Sequence, residues 1–301
     1  MECMKTVYRA REIPSPGLFL RGLQGFSIRN CGTIIFMIIS DPEQLLRARL
    51  SALPLAEVRY HAVTGSTNND ALQWLEAGAA DGSLVVADQQ TAGRGRLQRR
   101  WITEPGAALA FSLILRPTPA ETAHLALFSP LAGLAVADGL ATCCGLNAAI
   151  KWPNDVLLNG KKACGILAET TWQGNRIAGV VLGIGVNVAP TAVPPAATLM
   201  FPAISVEEVL SCPVDRWDLL ADILRSVFTW RPKLGSREFF QSWEDRLAFK
   251  GEPVQIQAPD GKLEGQLVGI DPHGNLLLRT DAGKMEVITA GDVSLRPAGN
   301  S

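Results

Sequence analysis

The spacing of apolar and polar side chains divides the chain into strands and helices in alternation. Residues 58–63 alternate apolar with polar positions, which predicts a half-buried strand. Residues 69–77 carry Ala71, Leu72 and Leu75 at helical spacing, with Ser66 or Thr67 placed to cap the helix. The apolar run 83–87 predicts a buried strand, and 107–115 a further one after the turn Glu104-Pro105-Gly106. Residues 125–144 are apolar nearly all round, with alanine and glycine closely spaced, and predict a buried helix packed on a sheet. Cys143 and Cys144 then read as core or helix-end thiols, because no acid–base partner adjoins them.

Residues 149–152 form a short predicted strand stopped by Pro153, with Asn154-Asp155 as its turn. Residues 156–158, the Asn159-Gly160 turn signal and 162–170 predict a hairpin. Residues 177–188 are a long β-branched run broken by glycines where another group must come close. The four prolines of 189–202 rule out a regular element there. Helices are predicted over 206–210, 218–230 and 236–247. From Gly251 the pattern changes to short alternating strands at 254–257, 263–270, 276–279 and 284–288, the pattern of a small SH3-like barrel. The fold class is therefore α+β, a mixed sheet with packed helices plus a small C-terminal SH3-like β-barrel.

Composition narrows the function classes. A chain of 301 residues, 47% apolar and 19% charged, is globular rather than disordered. The net charge of -1 supplies no general field for nucleic acid, so no DNA partner is expected. Six cysteines without CxxC spacing suit reduced thiols in a cytoplasmic protein, and three scattered histidines give no metal site. There is no Walker A sequence, and Gln98 breaks any GxGxxG pattern. The apolar run 33–40 is about half of the ~18 residues a membrane helix needs, and no small-residue cleavage site follows it. Met37 is a candidate start, since Ser40-Asp41-Pro42-Glu43 reads as the opening of a helix.

The candidate chemistry centres on GRGRLQRRW, residues 93–101, at the exit of the 83–87 strand. Gly93 and Gly95 alternate with Arg94 and Arg96, so backbone N–H groups and guanidiniums can approach one anion. A solvated basic turn has the same composition. Other motifs stand in order around it: Gly65-Ser66-Thr67-Asn68 before, then Lys151-Trp152-Pro153-Asn154-Asp155, Lys162-Ala163-Cys164-Gly165-Ile166-Leu167-Ala168-Glu169 and Gly183-Ile184-Gly185-Val186-Asn187-Val188. Over about residues 58 to 297 this set resembles the catalytic module of the biotin protein ligases.

The resemblance implies a class II synthetase-like catalytic domain over 51–249, an SH3-like domain over 250–301 and an N-terminal extension over 1–50. It implies ATP-dependent formation of biotinyl-5′-adenylate, with Mg2+, and biotin transfer to a lysine of a biotin carboxyl carrier protein by a monomer or homodimer without the DNA-binding module of some relatives. Arg94, Arg96 and Lys151 would be catalytic, gripping phosphate and carboxylate. Ser66, Thr67, Asn68, Gln90, Gly93, Gly95, Trp101, Lys162, Gly165 and Asn187 would bind the substrates: Ser66 and Thr67 biotin, Gln90 its ureido or carboxylate region, Trp101 the adenine face and Asn187 the adenine edge. Trp101 equally suits a core position, and Asp155 either holds magnesium or caps its turn. The family's loop usually has glycine where Gln98 stands, so this loop is expected to be stiffer and to retain the adenylate less well. Rival readings are a lipoate or octanoate ligase and a biotin-responsive DNA-binding regulator.

Overall fold

The computed structural model describes residues 41–101, 104–258, 261–289 and 294–297. The readings made on residues 1–40, the Met37 start among them, lie outside these. Helix α1 (Pro42–Leu50) opens with Pro42 and carries Glu43 in its first turn. Its inner face buries Leu46 and Leu50, and Arg49 reaches Asp218 at 2.6 Å. The boundary drawn after residue 50 is thereby corrected, because this helix belongs to the packed unit that begins at Pro42.

The main sheet has seven strands: β1 (Val58–Thr64), β2 (Ser83–Gln90), β3 (Ala108–Leu115), β4 (Ala149–Lys151), β5 (Asp155–Leu158), β6 (Lys161–Gln173) and β7 (Arg176–Asn187), ordered β1-β2-β3-β7-β6-β5-β4. Only β1 and β2 run parallel among these pairs, which makes the sheet mixed. Alternation sends successive side chains to opposite faces. Leu84, Val86, Leu113, Leu115 and Leu182 meet the larger core, while Val85, Ile114 and Val181 meet Ala71, Trp74 and Leu75 of α2 (Thr67–Glu76).

The larger core is covered by α4 (Phe128–Cys144) and α6 (Arg216–Trp230), with the single turn α3 (Pro119–Thr122) leading in. The window Leu125–Cys144 is apolar enough to cross a membrane by composition, yet 67% of it is buried within this fold, as a core helix is. Helix α6 starts two residues before the predicted 218 because the Asp215 carboxylate accepts from the N–H groups of Trp217 and Asp218. Short α5 (Val206–Leu210) and α7 (Arg237–Glu244) complete the helices.

The C-terminal part is an antiparallel sheet of five strands, β8 (Pro253–Ala258), β9 (Gly261–Ile270), β10 (Leu276–Arg279), β11 (Met285–Ile288) and β12 (Ser294–Pro297), ordered β11-β10-β9-β8-β12. The pattern predicted four of them; β12 pairs with β8 and buries Leu295. Val254, Ile256, Leu267, Leu276 and Leu278 join the main core, and the Trp152 indole donates to the Gly274 carbonyl at 3.2 Å.

Candidate active site

The site lies on the α2 face of the main sheet, where β7 changes from Val181 to Gly183 and Gly185 at alternate positions. Those glycines leave the sheet bare. Gly165 on β6 lies opposite Gly185 in register, and the indole of Trp101 rests on both. A Cβ at Gly165 would meet Trp101 at 3.0 Å, and one at Gly185 would enter the indole ring. Trp101 is thus neither a core tryptophan nor an exposed platform: it forms one wall of a cleft of roughly 900 Å³ including its open mouth. Its buried Nε1 donates to no acceptor.

The first residues of α2 form the second wall. Ser66 occupies the N-cap with extended backbone, but its hydroxyl closes no cap hydrogen bond. The acceptor comes instead from β2, where Gln90 Oε1 receives the Thr67 N–H at 2.8 Å and the Thr67 hydroxyl at 3.1 Å. Ser112, fully buried on β3, stands 2.8 Å from Thr67 Oγ1 and 2.6 Å from Asn68 Oδ1. Asn68 donates to the Leu167 carbonyl at 3.2 Å and to Glu169 at 2.9 Å. A lone hydroxyl in the apolar run ALAFSLIL is a signal that sequence reasoning passed over.

The arginine loop closes on itself. Trp101 N–H donates to the Gly93 carbonyl at 2.9 Å, and Gly95 N–H to the Arg99 carbonyl at 2.8 Å. Gly93 stands at this neck, where a Cβ would meet the Trp101 carbonyl, while Gly95 lines the cleft. At the loop's tip Leu97 has φ 55° and Gln98 φ 57°. Gln98, standing where the family's loop usually has glycine, thus occupies the left-handed region at a steric cost of about 1–2 kcal/mol.

Arg96 points across the cleft to Asn154 Oδ1 at 3.4 Å. Asn154 is itself held by the Ile166 carbonyl at 2.8 Å. Arg94 turns to the rim, where it pairs with Glu169 and Asn69. The far wall holds Lys151, Asp155 and Lys162. Asp155 receives Lys151 Nζ at 3.1 Å on one oxygen and Lys162 Nζ at 2.6 Å on the other. Burial pushes the Asp155 carboxyl up, but the Lys162 and Lys151 ammoniums outweigh it and hold the group below the usual carboxylate range. Lys151 is only 3% exposed and faces the Phe201 ring at 4.9 Å, and Lys162 lies 5.8 Å from the Trp101 ring. Asp155 therefore does more than cap its turn.

Of the predicted residues, Ser66, Thr67, Asn68, Gln90, Arg94, Gly95, Arg96, Trp101, Lys151, Lys162 and Gly165 line one cleft. Asn187 does not: it is 4% exposed, and its amide donates to the Ile204 carbonyl at 3.3 Å. It fastens the segment 189–204, which holds only the turns Pro190–Ala192 and Ala196–Thr198. Sequence reasoning gave no role to Ser112, Glu169 or Phe201 and read Asn154 only as a turn residue, while the close approach expected at the glycines of 177–188 is met at Gly185 by Trp101. Burial pushes the Cys164 thiol up; the hydrogen bond between Cys143 and Cys144, followed by burial, raises Cys143, and the same hydrogen bond lowers Cys144. Among the described residues no cluster of acids, histidines and cysteines is built to chelate a metal, and both Asp155 oxygens are taken by lysines.

Residues 60–187 match the biotin/lipoate A/B protein ligase family, and residues 249–296 match the biotin protein ligase C terminal domain. The biotin–[acetyl-CoA-carboxylase] ligase of Paracoccus denitrificans is 40% identical over 242 residues, covering 77% of this chain and 98% of that protein. The bifunctional ligase/repressor BirA of Bacillus subtilis is 36% identical over 247 residues, covering 78% and 73%. Among solved structures, the biotin protein ligase of Aquifex aeolicus in complex with biotin and ATP superposes with a TM-score of 0.69 at 29% identity, covering 81% of this chain and all of that one. The chain belongs to the biotin protein ligase family.

Proposed function

We propose that this chain activates biotin with ATP and transfers it to a lysine of a biotin carboxyl carrier protein. In the first step a biotin carboxylate oxygen bonds to the α-phosphorus, the bond to the β-phosphate oxygen breaks, and pyrophosphate leaves. In the second, the carrier lysine amine attacks the acyl carbon and AMP leaves. Both steps need negative charge stabilised at one place and two reactants held in line. The observation that carries the reading is the charge lining the cleft: Lys151 and Lys162 share a single carboxylate, Asp155, and Arg96 lines the same cleft, where it donates to Asn154.

In this scheme Arg96 supplies planar paired donors, and the two lysines supply point charges on either side of the reacting oxygen. Arg94 holds the loop at the rim. Ser66, Thr67, Asn68 and Gln90 order the polar end of the biotin seat, Gly165 keeps its floor low, and Trp101 offers a flat face to a ring. Asn187 enters through the segment 189–204 that it fastens. Mg2+ would arrive on the ATP phosphates, because the protein builds no chelating cluster for it among the described residues. The enzyme works in the cytoplasm, as monomer or homodimer, without a DNA partner. Labelled biotin, ATP and a purified carrier domain test the reading: wild-type protein labels the carrier lysine and Arg96→Ala loses most of that labelling. Label from lipoate but not biotin would overturn it.

A further inference from the structure

We infer that Glu169 is a positioning residue of this site, coupling the arginine loop to the first turn of α2. Its two carboxylate oxygens are divided between those elements: Oε1 accepts from Arg94 Nη2, and Oε2 from Asn68 Nδ2 at 2.9 Å. Arg94 uses its other Nη to donate to Asn69, so the loop is tied to β6 and to α2 at once. The Asn68 end is fixed. Its amide oxygen lies 2.6 Å from Ser112 Oγ, its nitrogen also reaches the Leu167 carbonyl, and its space exists only because position 183 is glycine, where a Cβ would overlap the amide. The Arg94 end is 38% exposed, on a loop closed by its own backbone hydrogen bonds, Trp101 N–H to Gly93 and Gly95 N–H to Arg99.

A charge argument sets the role apart from simple packing. An unpaired carboxylate beside a site for anions would repel them, and here the Glu169 charge is matched by Arg94. The pose of the loop that carries Arg96 is then transmitted through Glu169 to the residues that line the α2 wall. The substrate-dependent part of this inference rests on the function proposed above.

Glu169→Gln tests it, because the amide oxygen still serves Asn68 while the charge that holds Arg94 is gone. In ligand-free protein, trypsin cleavage after Arg99 or Arg100, located by mass spectrometry, should rise about fivefold, as loss of a partly exposed ion pair allows. The KM for biotin should rise about fivefold with kcat within twofold, and Glu169→Asp should recover part of both changes. In an Arg94→Ala background, Glu169→Gln should add nothing further. Equal cleavage rates in wild type and Glu169→Gln, or fully additive effects with Arg94→Ala, would overturn the coupling. The cleavage comparison needs no biotin, so wild-type protein inactive on biotin would sink the proposed function and leave the coupling to be decided by proteolysis.

Discussion

Lys151 and Asp155 stand opposite each other in register on β4 and β5, and their charged ends meet at 3.1 Å inside the protein. The Trp152-Pro153-Asn154 turn between them brings an ammonium and its counter-charge to one spot. Replacing Asp155 by Asn should leave Lys151 buried without its counter-ion and cost about 3 kcal/mol at pH 7, read from urea unfolding. The pH dependence follows from the depressed carboxyl. Its stabilising contribution is fully present above the unfolded value near 3.9 and is lost as pH falls through the lower folded value. The stability gap between wild type and Asp155→Asn should therefore stay constant from pH 7 to about pH 4.5 and narrow below about pH 4. A gap that halves between pH 7 and pH 5 would contradict this.

Gly185→Ala places a methyl group in the plane now filled by the Trp101 indole. Overpacking of this kind costs about 1–3 kcal/mol, and here the loop gives way rather than the sheet. Biotin affinity measured by calorimetry should fall by roughly tenfold or more, with far-ultraviolet circular dichroism unchanged. Unaltered affinity would show that the indole is not held by this floor.

Gln98→Gly removes a side chain from a left-handed backbone position. Relief of about 1 kcal/mol should favour the closed loop, and the rate at which adenylate escapes, followed by rapid filtration, should drop by roughly fivefold. Equal release rates for the two proteins would count against the idea that loop strain limits retention.

Much of this architecture is readable from the chain because its core elements keep one period over many residues, as in 125–144 and 177–188. The opening of helix α1 is legible in Ser40-Asp41-Pro42-Glu43, but its packing is not, because its nine residues bury only Leu46 and Leu50, too few to define a face. Strand β12 escaped because four residues ending in proline carry almost no alternation. At the site, the glycine and arginine motifs are legible where they are contiguous. The Glu169–Asn68 and Lys151–Phe201 contacts are not, since pairs brought together across a sheet leave no trace in local spacing. The resemblance implied that Asn187, at the end of the glycine-broken strand, meets the adenine edge, whereas here its amide donates to the Ile204 carbonyl of the segment that follows.

The central claim is that Arg96, Lys151 and Lys162 act on one anion where an acid meets a nucleotide. Biotin-dependent exchange of labelled pyrophosphate into ATP tests it most directly. Wild-type protein should catalyse the exchange, and Lys151→Ala and Arg96→Ala should each reduce it by at least about a hundredfold while remaining folded. Wild-type protein that exchanges no label when biotin is supplied, or variants that exchange as fast as wild type, would contradict the account.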